Sequence, residues 1–464
     1  MIDPEPYSPQ LRTAVVFTGT GTAGAYHAGV LRALHEAGVK IDLVAGRGVG
    51  ALAAVFAAID GGQKLWGDHG FWDPHAVKQL YDWRSTLRFA AWAMGAALLI
   101  VAVPLAAVAI GAVVFPIDFV VRMTGMGSAT GLTGAYTRWV ERMFAPSALP
   151  TWLPRLAVLV LGLAALTIAI ETLASFTGRR SRGNVWWRAI GGPLSVRDAF
   201  TRCWSALWDL VQGGARVKEP TPADLSARYV ELLADNIGQP GFRELLIAAH
   251  DLDARRDLVF ALVAESRRRD LIRRASTAEA EVRRAEVIDL AGPGRKHLAD
   301  AIAAGLAVGV VTDPHPMTFS PDSYWRGETH RLCDRPGVLL RLFDELTEVG
   351  VEQVIVVSAA SAIDGPHALA PARLDGKGRI GEYLLSAEVS AVRDALQFAA
   401  DRIPRVFSIH PQHNPIGPFD FAGEYDDRSD RRQSLSELLA RGYEDAYRQF
   451  IEPVVGASGE RVGV

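Results

Sequence analysis

The chain has 464 residues, enough for two domains or for one large α/β domain with insertions. Its 49 Lys and Arg against 52 Asp and Glu leave a net charge of −3, which excludes the basic excess of a nucleic-acid binder. Two cysteines, Cys203 and Cys333, exclude a disulfide framework and a cysteine-built metal site, and suit a reducing compartment.

Met1–Tyr7 has neither a basic n-region nor an apolar h-region, so no cleaved signal peptide is expected. Thr13–Phe17 is a short β-branched and apolar run that enters the glycine-rich turn Thr18–Gly24. The helical pattern Ala25–Ala37 follows and stops at Gly38. Ile41–Ala45 is the next strand, and Gly46-Arg47-Gly48-Val49-Gly50 turns it into a second helix. This strand–helix alternation predicts a parallel sheet covered by helices.

From Phe89 to Ile117 no charge interrupts the apolar run, which exceeds the roughly 20 residues that cross a bilayer. A second apolar run, Trp152–Phe176, carries Arg155 and Glu171 near its ends, around the uncharged centre Leu156–Ile170. Together they predict a membrane hairpin inserted into an α/β domain. Lys78, Arg84, Arg88, Arg179, Arg180, Arg182 and Arg188 flank the pair, against Arg122, Arg138, Arg142 and Arg155 in and near the connection. That bias predicts both flanks in the cytoplasm.

After the hairpin, Arg197–Asp235 reads as helices broken at Gly213-Gly214 and Pro220-Thr-Pro222. Phe242–Ala249 and Leu258–Val263 read as strands joined by the polar stretch Asp251–Asp257. Ser266–Arg284 is a solvated loop or exposed helix with a possible headgroup-facing surface. Lys296–Ala307 and Gly337–Val349 are helical, and Val351–Ser358 is the cleanest buried strand. Ile380–Ile403 and Ser434–Ile451 are long helices.

Two chemistries fit the first glycine turn. Gly19-Thr-Gly-Thr-Ala-Gly24 has the G-x-G-x-x-G layout of a dinucleotide site, and its backbone amides at a helix N-terminus also suit an oxyanion hole formed by Gly19, Thr20, Gly21 and Thr22. A dinucleotide site wants an acidic residue at the end of the second strand, where this chain has another tight turn. That turn has the G-x-S-x-G layout of a nucleophile elbow, built by Gly46, Arg47, Val49 and Gly50, with Gly48 at the serine position. The paired turns favour a hydrolase frame. An NAD(P)-binding protein, with Arg47 meeting a 2′-phosphate, is the minor alternative.

At these residues the chain resembles the patatin-like phospholipases, lipid acyl hydrolases with a Ser–Asp dyad. Thr18–Leu31 lies on the family's pattern strand–G-G-G-x-R-G-x-Y-x-x-G, with Gly19, Gly21, Gly24, Tyr26 and Gly29 matching, Thr20 replacing the second glycine and Ala23 the arginine. Gly241–Leu262 resembles the family's central strand pair, and Ser323-Tyr-Trp-Arg-Gly-Glu resembles its aspartate turn, placing Arg326 at the aspartate position. The likeness covers about residues 13–80 and 195–455. It implies a three-layer α/β domain with a central, mainly parallel sheet. The divisions are 1–85, with the oxyanion turn and elbow; 86–178, the inserted transmembrane hairpin; and 179–464, the remainder.

The resemblance also implies that the chemistry is lost, since loss of the nucleophile alone costs a serine hydrolase on the order of 10⁶ in turnover. Glycine at an elbow relieves strain of roughly 1–3 kcal/mol while preserving the turn. With no intact catalytic residue, the expectation is a membrane-anchored, inactive patatin-like protein of lipid metabolism, binding lipid or an unknown protein partner, without cofactor or nucleic acid. Arg47 and Arg326 are the candidate contacts to an anionic lipid headgroup or a fatty acid. An active hydrolase with an unrecognised nucleophile is the alternative.

Other polar residues carry blander expectations. Thr18, Thr20 and Thr22 are hydroxyls that need an adjacent base, for which only His27 is near in the chain. His410-Pro-Gln-His413 lacks metal-ligand spacing, and Asp420, Asp426, Asp427 and Asp430 lack calcium-loop spacing. Asp364-Gly365 is a loop turn. No metal is expected.

Overall fold

In the computed structural model, residues 6–67, 70–73, 77, 80–124, 131–145, 149–176, 191–213, 218–272, 285–360, 376–412, 416–419, 421, 424–426 and 431–456 are described. The chain divides into two units, Met1–Asp82 with Leu194–Val464, and Trp83–Pro193.

Among the described residues, nine strands make the main sheet of the first unit: β1 Thr13–Thr18, β2 Leu43–Arg47, β3 Glu244–Asp251, β4 Arg256–Leu262, β5 Val287–Asp289, β6 His315–Thr318, β7 Thr329–Cys333, β8 Gln353–Ser358 and β9 Arg405–Ile409. They form one sheet in the order β9-β8-β1-β2-β3-β4-β5, with β7 pairing β3 and β6 pairing β7. The pairs from β9 through β3 are parallel, while β3–β4, β3–β7 and β6–β7 are antiparallel. Buried strands in such a sheet are apolar on both faces, which is why β1 and β8 read as unbroken apolar runs.

Alternate side chains enter two cores. Val15, Phe17, Val44 and Ile247 join one, with the helices α1 Ala23–Glu36 and α2 Gly50–Ala58. Ala14, Val16, Ala45 and Leu246 join the other. The sheet is therefore a middle layer with a helical layer on each side, as expected.

The second unit holds α3 Ser85–Met123, α4 Leu132–Met143 and α5 Leu149–Phe176. Among the described residues, α3 is the one helix long and apolar enough to cross a membrane by length and composition, and Arg155–Ile170 is a shorter apolar stretch. Where two spans are expected, one helix meets that test among the described residues. Within the unit, Ala97 and Ala157 pack together, and the Tyr136 hydroxyl of α4 donates to the Ala107 carbonyl of α3.

The first unit resumes with α6 Arg197–Val211 and α7 Pro222–Asn236, the latter capped by Thr221 with Pro222 in its first turn. Then come α8 Glu265–Leu271, α9 Leu298–Leu306, α10 Val338–Glu348, α11 Gly376–Ala400 and α12 Leu435–Ala446. Ser434 and Glu437 form a capping box at the start of α12. Val338, Leu342 and Leu346 of α10, with Val392 and Ala395 of α11, fill the second core. The polar stretch from Ser266 begins as α8, and its remainder from 273 to 284 lies outside the described residues.

Candidate functional site

Parallel pairing of β1 with β2 brings both glycine turns to the same sheet edge, since Phe17 lies beside Gly46. In open α/β sheets this carboxyl edge is where ligands bind. Gly48 has φ +57°, a conformation that a side chain adopts only with strain. A Cβ built on it would overlap the Gly19 carbonyl oxygen and stand 2.9 Å from Asp334 Oδ2. Glycine is therefore required at position 48 in this arrangement. The space where a side chain would begin holds the chain's own carbonyl.

Two backbone donors nearby are also taken. In an elbow, the amide after the nucleophile helps to bind the oxyanion. Here the Val49 N–H donates to the Gly19 carbonyl at 3.0 Å, and the Thr22 N–H donates to the Pro418 carbonyl at 3.1 Å. A Cβ on Gly21 would overlap that same Pro418 oxygen. Phe419 and Phe421, on either side of a residue outside the description, pack on Tyr81, whose hydroxyl donates to Leu306. Pro418 thus occupies the space over Gly21 and takes the Thr22 N–H, at the turn where the dinucleotide alternative would seat a diphosphate.

Asp334 is the acidic group beside Gly48, and sequence reasoning missed it. It follows β7 directly, and antiparallel pairing of Cys333 with His250 of β3 carries it to the elbow. Its own N–H donates to the Ala307 carbonyl at 2.7 Å. Arg326, expected at this position, lies instead on an exposed turn with φ +47°, where its N–H donates to Ser323. The local motif likeness was misleading because the position is set by long-range strand pairing.

Arg47 is fully buried. Its Nη1 donates to both oxygens of Asp334 at 2.8 and 2.9 Å, its Nε donates to Thr18 Oγ1 at 2.8 Å, and its Nη2 pairs with Glu388 of α11. Thr18 Oγ1 donates in turn to Glu388 Oε1 at 2.7 Å, and Thr20 Oγ1 donates to Asp334 Oδ2 at 3.2 Å. Two carboxylates thus answer one guanidinium. Arg47 has no capacity left for a lipid headgroup, and with Arg326 elsewhere the expected cationic pocket mouth does not form. Glu388 was legible in one respect: it stands four residues from both Leu384 and Val392, a charge on an otherwise apolar stripe.

His27, weighed as a base, is fully buried with Nε2 at 3.1 Å from the Thr18 carbonyl. Burial pushes its pKa down to about 3, so it is neutral near pH 7, with Nε2 protonated toward that carbonyl. Its Nδ1 and the Thr22 hydroxyl are buried without a hydrogen-bond partner among the described residues. Other positions matched to the resemblance serve packing. Gly29 lies against the Leu439 carbonyl, Gly24 against the Trp72 ring, and Tyr26 donates to Asp445 at 3.1 Å.

His410 donates its backbone N–H to Gln449, and no group of three or more metal-ligating side chains occurs among the described residues. Asp364-Gly365, His413, Asp420, Asp427 and Asp430 lie outside those residues, while Asp426 falls in a short strand, Glu424–Asp426.

No family model matches the chain, and no curated protein matches it. Among solved structures it is similar to VipD from Legionella pneumophila, at 12% identity and a TM-score of 0.34, over 97% of this chain and 67% of that one.

Proposed function

We propose that this chain is a membrane-anchored, patatin-like protein that keeps the hydrolase frame without ester-cleaving chemistry and acts by binding lipid or a protein partner. The observation that carries the reading is the Gly19 carbonyl, which occupies the start of any side chain at position 48 and accepts the Val49 N–H. A nucleophile and an open oxyanion hole are both needed for acyl transfer. The elbow has no nucleophile, its Val49 N–H is taken by the Gly19 carbonyl, and Asp334 is committed to Arg47.

Anchoring rests on α3, whose large apolar side chains face outward. Leu99 is 72% and Val108 69% exposed. In the anchored state α3 and α5 are two spans, and the surplus of flanking arginines holds both ends in the cytoplasm. An apolar surface of this extent needs lipid or protein against it.

Purified protein in detergent, incubated with a fluorophosphonate probe and with short- and long-chain esters, is expected to label and turn over no more than a heat-denatured control. Labelling well above that control overturns the inactive reading. Flotation with liposomes tests the anchor, and protein left at the bottom of the gradient removes it.

One contact favours a second reading. The Thr20 hydroxyl donates to Asp334 at 3.2 Å, so an active hydrolase would use Thr20 as nucleophile and Asp334 as base. A label that disappears in Thr20→Val establishes that reading in place of the first.

A further inference from the structure

The turn that sequence likeness placed at the elbow borders a different feature. A cavity of about 500 Å³ is lined by three segments: α8, the stretch around β5, and the turn Phe319–Trp325. Its size lies within the usual range for small-molecule sites, roughly 300–1,000 Å³.

The turn supplies an aromatic wall with fixed angles. Tyr324 and Trp325 meet nearly perpendicular, with centroids 5.0 Å apart, and Trp325 lies 6.0 Å from Phe319. The Trp325 Nε1–H donates to the Ala285 carbonyl at 3.1 Å. His330, bonded to buried Asp251, packs edge-on against Phe319 and Trp325. Asp322, on the same turn, is exposed and lines the cavity with no cation paired to it among the described residues.

The other segments carry two arginines, Arg268 and Arg269, and two carboxylates, Glu265 and Asp289. Arg268 is answered by Asp289 at 2.7 Å and by Glu265 at 2.9 Å. Arg269 is 81% exposed and touches Glu265 only at 3.4 Å.

This pattern selects among ligand classes. A simple anion would meet the unanswered carboxylate of Asp322, and a simple cation would meet Arg269. A primary ammonium needs several acceptors around it, whereas Ile272, Val287, Pro293 and the ring faces offer apolar contact and a negative quadrupole. A methylated ammonium with an attached phosphate satisfies both ends. We propose that this cavity binds a zwitterionic phosphocholine group, with its trimethylammonium against Phe319, Tyr324, Trp325 and Asp322, and its phosphate at Arg269.

The experiment is calorimetric titration of the protein in maltoside micelles with phosphocholine, phosphoethanolamine and 3,3-dimethylbutyl phosphate, in which an uncharged tert-butyl group replaces the trimethylammonium. Phosphocholine is expected to bind saturably at one site, and the other two about tenfold or more weaker, the scale of a desolvated cation–π contact. Trp325→Ala is expected to weaken phosphocholine by about tenfold, and Asp322→Asn, an exposed substitution that leaves the core untouched, by about two- to fivefold, the scale of an exposed ion pair. Absence of saturable phosphocholine binding, equal affinity for the isostere, or an unchanged Asp322→Asn overturns the proposal. Competition by phosphatidylcholine vesicles assigns the group to a lipid surface, and its absence assigns it to a free metabolite. Because the readout is binding in solution, its failure leaves the reading of the elbow standing, and ester turnover at the elbow leaves this site standing.

Discussion

Helices α2 and α3 are composed of much the same residues, Ala, Val, Leu and Phe, and meet opposite surroundings. All nine residues of α2 are buried, whereas only 12% of the most apolar window of α3 is buried. Neither has an apolar stripe with a polar back, so each must be covered all round. Protein does this for α2, which starts at the elbow and packs into the core beside the sheet. The second unit alone does not do it for α3. Composition thus specified that both helices avoid water, and the sheet decided which one protein would cover.

The strongest way to break this comparison is to spoil the buried side at its polar seam. Arg47→Ala leaves Asp334 and Glu388 buried without their counter-charge, and removing one partner from such a group costs about 3–5 kcal/mol. Chemical denaturation is expected to show that loss, or no folded first unit at all. A variant within about 1 kcal/mol of wild type would mean that water enters the elbow, since exposed pairs contribute no more than that.

On the outward side, Leu105→Arg puts a charge near the middle of the apolar run on an exposed position. At the centre of a membrane helix this costs roughly 2.5–3.5 kcal/mol of insertion free energy. A glycosylation-based insertion assay should register reduced spanning, with the denaturation of the first unit unaltered. An insertion efficiency equal to wild type would show that α3 is not covered by lipid.

Gly48→Ser gives a smaller effect and sharpens the meaning of the elbow. Positive φ for a non-glycine residue costs about 1–3 kcal/mol, and the Gly19 carbonyl must also move. The variant is expected to be less stable by about that amount and to remain unlabelled by fluorophosphonate. A labelled variant would show that the closure is yielding and that one atom separates this chain from a working dyad with Asp334.

Much of this arrangement was legible locally. β-branched runs marked β1, β2 and β8, and the two glycine turns marked the sheet edge because turns and short apolar strands are local properties. The charge-free length of α3 was legible for the same reason. Asp334 was not, because it lies 287 residues from Arg47 and reaches it only through pairing of β7 with β3. The closure of the elbow was equally hidden. It depends on a carbonyl from Gly19 and another from Pro418, and backbone groups leave no signature in side-chain identity. Arg47 was read as a free cation because sequence shows charge and conceals burial.

His27 offers the mildest test, since it changes charge without changing the chain. Its folded pKa, about 3, lies below the ordinary value of 6.5 because burial penalises the imidazolium. The unfolded chain therefore binds one more proton between those values, and stability falls as pH drops below 6.5, by up to about 1.4 kcal/mol per unit. Above 6.5 both states are neutral and the contribution is flat. Denaturation midpoints at pH 7, 6, 5 and 4 should show a steeper decline for wild type than for His27→Leu, with the difference confined to this window. Every other titrating group is common to both proteins, so the difference between the two curves isolates the imidazole. Parallel curves would mean that His27 takes up its proton in the folded state, and that the core around α1 is wetter than its full burial implies.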